Sequence, residues 1–225
     1  MTTEVVIIDL DGTLLNRPPH LPREANTEAL KLLCTEHRGL DEIQSCMKDV
    51  SSRTKEGKGI LASKANQFGL LVKILGIDDV TIIDGMLSRY MERYLSDSSL
   101  YPEAASTLGT LARLGLRMAL ITNSPDDVVG AVLRHFGIDQ YFDVVAAASS
   151  VGFPKPSIEF SRFLMDRFSS DPSAIVVVGD GDEDGVTASM IGARFFRVNR
   201  DETFVPVESG RDETVRNLGD LVAKL

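Results

Sequence analysis

The chain has 225 residues, of which 43% are hydrophobic and 25% are charged, and its formal net charge at pH 7 is -9. This composition is typical of a globular protein with a sizeable core, and it excludes low-complexity and collagen-like classes. The negative charge argues against nucleic acid or an anionic membrane surface as the main partner, because both would repel the chain. An anionic substrate would therefore need a local cation.

The first predicted element is a buried strand over residues 5–8. This apolar run is too short for a signal peptide or a membrane span, so we expect a cytoplasmic protein. Two carboxylates, Asp9 and Asp11, follow the strand directly, and Gly12 comes next. Successive strand side chains point to opposite faces, so both acids can reach one site only where the strand ends and curls into a loop. Glycine makes such a curl easy.

Between residues 16 and 100 the hydrophobic period is helical, which predicts an all-helical insert of four or so helices. Tyr90 and Tyr94 lie one helical turn apart, a spacing that indicates core packing rather than a substrate pocket. Cys34 and Cys46 lack the paired spacing of a zinc site, and we expect two free, buried thiols.

From residue 101 onward, apolar and helical segments alternate. Further strands are predicted at residues 117–121, 144–148, 174–178 and 195–198, and helices at 102–114, 125–136, 157–168 and 185–191. Strands that are apolar on both faces and alternate with helices indicate a parallel sheet covered on both sides. The sequence thus predicts an α/β fold with a three-layer core domain, residues 1–15 and 101–225, and an inserted helical domain, residues 16–100.

Candidate site residues follow four of the five predicted strands at their carboxyl ends. They are Asp9, Asp11 and Gly12, then Thr122 and Asn123, then Lys155, and finally Asp180, Asp182 and Asp184. Because the carboxyl ends of parallel strands meet at one edge of a sheet, we expect these residues to converge around one cavity. Each segment alone has an ordinary interpretation: an aspartate there can cap a helix, and a lone lysine can be a solvated surface charge.

Taken together, these segments resemble the signature of the haloacid dehalogenase-like (HAD) hydrolase superfamily. Asp9-Leu10-Asp11-Gly12-Thr13 is similar to its first motif, and Ile121-Thr122-Asn123-Ser124 to its second. Lys155-Pro156 is similar to the third, and the run from Gly179 to Asp184 to the fourth in its shorter acidic form. The resemblance covers the core and implies a Rossmann-like domain. It also implies that the insert is a mobile cap that selects the leaving group.

Several carboxylates at one site require a cation. Two like charges ~5 Å apart repel by roughly 3 kcal/mol at an effective dielectric constant near 20. An all-oxygen ligand set favours Mg²⁺ over zinc. The resemblance implies that Asp9, the Asp11 carbonyl and Asp180 contact the metal, with Asp184 acting directly or through water. Asp182 has two open interpretations, a place in the metal shell or a helix N-cap.

A carboxylate can attack phosphorus and form an aspartyl-phosphate, and Asp9 is the predicted nucleophile. Asp11 lies two residues further along the chain. It fits the general acid that protonates the leaving group and the general base that later deprotonates the attacking water. The family's dehalogenases lack an acid at that position, so Asp11 favours phosphoryl over carbon–halogen chemistry. The predicted donors to the phosphoryl oxygens are the Thr122 hydroxyl, the Asn123 backbone N–H, the Gly12 loop amides and the Lys155 ammonium.

The sequence thus predicts a Mg²⁺-dependent phosphomonoester phosphatase that acts on a small phosphorylated metabolite, as a monomer or small homo-oligomer. Three alternatives are a phosphosugar mutase, a non-enzymatic regulator and a dehalogenase. The regulator is disfavoured because every proposed catalytic position is filled, and the dehalogenase is disfavoured by Asp11. Five insert residues have two open interpretations, as contacts of a polar leaving group or as solvated surface charges. They are Arg17, His20, Arg53, Lys55 and Lys58.

Overall fold

The computed structural model describes residues 3–56, 63–201, 208–209 and 212–225. In chain order, the strands of this described part are β1 Val5–Asp9, β2 Leu15–Asn16, β3 Ser99–Leu100, β4 Arg117–Thr122, β5 Val144–Ala147, β6 Ile175–Gly179, β7 Arg194–Val198, β8 Glu208–Ser209 and β9 Asp212–Val215. The helices are α1 Leu21–Leu30, α2 Leu40–Glu56, α3 Lys64–Ile74, α4 Ile82–Ser96, α5 Ala104–Arg113, α6 Asp126–His135, α7 Ala148–Val151, α8 Ile158–Arg167, α9 Asp182–Ile191 and α10 Leu218–Val222.

The main sheet has the strand order β5-β4-β1-β6-β7-β9-β8. All of its neighbouring strands pair in parallel except β8 and β9, which are antiparallel. Strand β1 lies between β4 and β6, and all five of its residues are buried. Strands buried on both faces carry continuous apolar runs, which is why β1, β4 and β6 are readable from the sequence.

Alternate residues of the sheet pack into two apolar layers. Val6 and Ile8 face a cluster that continues into the helical insert, and Val5 and Ile7 face a second cluster that includes Phe160 of α8. This period of two is the geometry of a strand. The sheet therefore lies between two helical layers, as the α/β prediction requires.

The insert consists of α1 to α4, with α1 packed along α4. The chain leaves the core through β2 and returns through β3, and these two short strands pair antiparallel. Tyr90 and Tyr94 of α4 are each 2% exposed, in agreement with their predicted core position. Within the described residues, no helix has the length and apolarity needed to cross a bilayer.

The five predicted strands are confirmed, and β2, β3, β8 and β9 are additions. Helix α9 begins at Asp182 rather than at residue 185, so the predicted start was wrong by one turn. The cysteines are free, as predicted, but the expected burial was wrong. Cys34 is exposed just after a short 3₁₀ turn, and Cys46 is half-buried on α2.

Candidate active site

Asp9 is the last residue of β1, and only 4% of its surface is exposed. Its Oδ1 accepts a hydrogen bond from the Lys155 ammonium, whereas its buried Oδ2 has no hydrogen-bond partner in the described part of the chain. Burial raises the pKa of Asp9 to about 8; Lys155 opposes this rise and Asp184 adds to it. A cation at Oδ2 would supply the missing partner and favour the carboxylate.

Lys155 lies between two carboxylates and is 5% exposed. Its Nζ donates to Asp9 Oδ1 and, at 2.6 Å, to Asp184 Oδ1. Burial alone favours a neutral amine, but the two carboxylates outweigh it and raise the pKa of Lys155 above its usual value. Lys155 is therefore a buried cation inside the site, and its interpretation as a solvated surface lysine was wrong. The peptide bond between Lys155 and Pro156 is cis.

Asp9, Asp180 and Asp184 each offer one carboxylate oxygen, and these atoms all lie within 4.8 Å of one another. Two glycines make this approach possible. A Cβ at Gly12, whose φ is +86°, would lie 2.1 Å from Asp180 Oδ2, and a Cβ at Gly179 would lie 2.1 Å from Asp184 Oδ2. Burial and the charge of Asp184 raise the pKa of Asp180. The oxygen-only donor set and the unpartnered Asp9 Oδ2 fit a hard divalent cation.

Asp11 is held between the core and the insert. Its Oδ1 accepts from Arg17 Nε at 2.6 Å and from the Tyr94 hydroxyl at 3.5 Å, and its Oδ2 accepts from Ser124 Oγ at 2.7 Å. The contacts of Ser124 and Tyr94 with Asp11 are not predicted by the sequence. Ser124 could have been found as the next residue of the second motif, whereas the Tyr94 spacing indicates only burial.

Thr122 ends β4 and is 1% exposed. Its Oγ1 accepts from Ser124 N at 3.0 Å, which leaves the hydroxyl hydrogen free to donate. The Asn123 side chain contacts the Lys155 backbone: Lys155 N donates to Oδ1 at 3.0 Å, and Nδ2 donates to the Lys155 carbonyl at 2.8 Å. The role predicted for Asn123 concerned only its backbone N–H, so this side-chain contact is an addition to the prediction.

Asp182 lies outside the carboxylate cluster, and both predicted roles for it were wrong. Its side chain is 94% exposed and pairs with Arg197 at 2.7 Å. Gly181 is the N-cap residue of α9, and its N–H donates to Asp184 Oδ2 at 3.1 Å. Because the helix begins directly after Gly181, Asp182 occupies its first turn and points to solvent.

Of the five insert residues predicted to contact a leaving group, Arg17 reaches the site, through its ion pair with Asp11. His20 is exposed, with Glu24 at 3.6 Å, and Arg53 is also exposed. The Lys55 side chain and the whole of Lys58 lie outside the described residues.

Lys64, which is not among the residues predicted from the sequence, begins α3 and is 6% exposed. Its Nζ donates to Gln67 Oε1 at 2.9 Å and lies 4.8 Å from the Tyr90 ring centroid. Burial lowers the pKa of Lys64 to about 8, against the opposing charge of Asp127. The backbone N–H groups of Lys64 and Ala65 donate to the Asp127 carboxylate, each at 2.9 Å. Asp127 on α6 of the core thus binds the first turn of α3 in the insert.

The chain is similar to known proteins in sequence and in fold. A family model described as haloacid dehalogenase-like hydrolase matches residues 3–192. The chain is 32% identical to phosphoglycolate phosphatase of Rhodospirillum rubrum over 196 residues, which cover 84% of this chain and 76% of the relative.

Two solved structures share the fold. A 2-haloacid dehalogenase from Pseudomonas syringae superposes with a TM-score of 0.74 at 20% identity, covering 99% of this chain and 97% of that one. The HAD-hydrolase YfnB from Bacillus subtilis, solved with bound magnesium, gives a TM-score of 0.61 at 19% identity, covering 100% and 99% of the two chains. At such low identity these two likenesses concern the fold alone.

Proposed function

Because the chain belongs to the haloacid dehalogenase-like hydrolase family, we propose that it is a phosphomonoester phosphatase that uses Asp9 as the nucleophile and Mg²⁺ as its cofactor. The observation that carries this proposal is the environment of Asp9. One carboxylate oxygen accepts a hydrogen bond from Lys155, and the other is buried with no hydrogen-bond partner among the described residues. The Asp9 carboxylate also lies in one cluster with those of Asp180 and Asp184. A small phosphorylated metabolite is the proposed substrate, and the similarity to phosphoglycolate phosphatase supports it.

In the proposed reaction, the Asp9 carboxylate attacks phosphorus while the bond to the leaving oxygen breaks. Asp11 gives its proton to that oxygen, so the leaving group departs as a neutral hydroxyl. A water molecule then attacks phosphorus, the bond between phosphorus and the Asp9 oxygen breaks, and Asp11 takes the water's proton. Inorganic phosphate leaves, Asp9 is again a carboxylate and Asp11 again carries its proton. The hydrogen bond from Ser124 and the ion pair with Arg17 fix the orientation of the Asp11 side chain.

The transferred phosphoryl group carries negative charge that needs fixed donors. We assign this role to the Thr122 hydroxyl, the Asn123 backbone N–H, the Gly12 loop amides and the Lys155 ammonium. Lys155 also neutralises part of the negative charge of Asp9 and Asp184. Asp9, Asp180, Asp184 and the Asp11 carbonyl are the proposed ligands of Mg²⁺. When bound, the ion would neutralise charge on the carboxylates and on the phosphoryl oxygens.

We further propose that residues 16–100 form a cap domain and that residues 1–15 and 101–225 form the core domain. The cap supplies both Arg17, which lies before α1, and Tyr94 of α4, and both contact Asp11. Closure of the cap would exclude bulk water from the acyl phosphate and select the leaving group by its fit beside these two side chains.

The proposal is tested by phosphate release from a panel of phosphorylated sugars, nucleotides and small acids, with Mg²⁺ and with a chelator. We expect release that needs the metal and that is lost in Asp9→Asn. Asp182→Asn is the matched control, since it changes an exposed acid of the same motif that lies outside the cluster, and it should keep wild-type activity. An isomerised sugar phosphate would instead identify a mutase, and no turnover of any ester would contradict the phosphatase proposal.

A further inference from the structure

We propose that the side chain of Asn123 is a positioning residue that fixes the Lys155 loop and thereby places the ammonium between Asp9 and Asp184. The proposal rests on the function proposed above and adds to it, because the predicted role of Asn123 concerned its backbone N–H alone. Asn123 follows β4, whereas Lys155 lies 32 residues later, in the loop before α8.

The two hydrogen bonds form a matched pair. The Asn123 amide accepts from the Lys155 N–H at 3.0 Å and donates to the Lys155 carbonyl at 2.8 Å. A backbone N–H can only donate and a carbonyl can only accept, so the two groups of Lys155 determine which atom of the amide is oxygen. One side chain therefore satisfies both polar backbone groups of the residue that carries the ammonium.

Apart from the ion pairs of the Lys155 side chain itself, little else anchors this loop. In the described part of the chain, these two bonds are the only hydrogen bonds made by the backbone of residues 153–156. Pro154 and Pro156 have no N–H to offer. Phe153, Pro154 and Pro156 are exposed, so Lys155 is the one buried side chain of the segment. The position of the Lys155 backbone therefore depends on Asn123.

The consequence for the site follows from the length of a lysine side chain. Its four-carbon stem is flexible, and the ammonium is held at a defined point only when the backbone is fixed as well. Here that point lies within hydrogen-bond distance of two buried carboxylates. A displacement of about 1 Å at a reacting centre can cost on the order of a hundredfold in rate. Asn123 thus acts on the reaction through Lys155.

The first test is a double-mutant cycle with Asn123→Ala and Lys155→Ala. The Asn123 backbone N–H remains in the variant, so we expect KM to change less than about threefold while kcat falls by about tenfold to a hundredfold. In the Lys155→Ala background, the same Asn123 change should alter kcat by less than about twofold. An equal loss of kcat in both backgrounds, or no loss in either, would overturn the proposal.

The second test does not need turnover. Brief acetylation followed by peptide mass spectrometry measures how accessible Lys155 is. We expect Asn123→Ala to raise the labelling of Lys155 several-fold, and Asn217→Ala, which removes a helix cap at α10, to leave it unchanged. Unchanged labelling in Asn123→Ala would overturn the positioning role.

If Asn123→Ala does not fold, Asn123→Ser replaces it. Wild-type protein without phosphatase activity would contradict the proposed function, and the labelling would still test the contact.

Discussion

The Asp127 carboxylate on α6 accepts a hydrogen bond from the backbone N–H of Lys64, the first residue of α3, at 2.9 Å. Its second oxygen accepts from the next N–H, that of Ala65, at the same distance. A carboxylate at a helix N-terminus satisfies orphan donors and interacts favourably with the helix dipole. Because α6 begins directly after the second motif, this contact joins the segment proposed to bind phosphate to the proposed cap.

Asp127→Ala should loosen the first turn of α3. The loss of the two bonds is expected to cost about 1 kcal/mol of stability and to speed hydrogen exchange at Lys64 and Ala65. Asp126→Ala is the matched control, because Asp126 is in the same turn of α6 but pairs with Ser149 of the core. Equal exchange at α3 in the two variants would contradict a role for Asp127 in holding the insert.

Gly12→Ala should weaken the binding of a divalent ion. The new Cβ would collide with the Asp180 carboxylate, and φ at this residue is +86°. Gly115→Ala carries a similar backbone strain, roughly 1 kcal/mol, at φ +74° but meets no atom within 4 Å. Calorimetric titration with Mg²⁺ should therefore show at least a tenfold loss of affinity in Gly12→Ala alone. Equal affinities would mean that Asp180 does not bind the ion.

Asp9→Asn should change the pH dependence of stability when a chelator is present. The pKa of Asp9 rises from 3.8 to about 8 on folding, so between these values the folded protein holds a proton that the unfolded chain has released. The protonated Asp9 carboxyl therefore stabilises the folded protein at low pH, and this stabilisation is lost as the pH rises from 3.8 to about 8. The Tm of Asp9→Asn relative to the wild type should increase from pH 5 to pH 8. A constant difference across this range would contradict the raised pKa.

Arg17→Ala should lower kcat by roughly threefold to tenfold, because the Asp11 carboxylate loses its 2.6 Å ion pair and is less well oriented. Arg17→Lys should restore part of the loss, since a charge returns without the planar guanidinium. Steady-state kinetics on the best substrate of the panel measure both effects. Arg93→Ala is the control, because Arg93 pairs with Glu24 and Asp97 on the surface of the insert. Wild-type kinetics in Arg17→Ala would show that the pair does not serve Asp11.

The sequence predicts the centre of the fold well and its periphery poorly. Strands β1, β4 and β6 are apolar on both faces, so their composition alone marks them as buried. Strand β9 is the run Asp-Glu-Thr-Val, which has no such signal. Strands β2 and β3 are two residues long and exist because the chain leaves and re-enters the core at neighbouring points.

The same division holds for the site. Asp9, Thr122, Lys155 and Asp180 follow strands that were readable, so their convergence follows from the topology of a parallel sheet. Lys64 was not foreseeable, because a lysine in an amphipathic helix is normally solvated, and its burial depends on how α3 packs against its neighbours. The position of Asp182 depended on where α9 begins, and sequence patterns locate helix ends to within only a few residues.

The central claim, that Asp9 is the nucleophile, is tested most directly by trapping the intermediate. The protein would be mixed with Mg²⁺ and its best phosphoester, quenched in acid within milliseconds, digested at low pH and examined by mass spectrometry. We predict a phosphoryl group on Asp9 in the wild type and none on any residue of Asp9→Asn. Phosphate release by Asp9→Asn at the wild-type rate, or a phosphoryl group trapped on another side chain, would contradict the account.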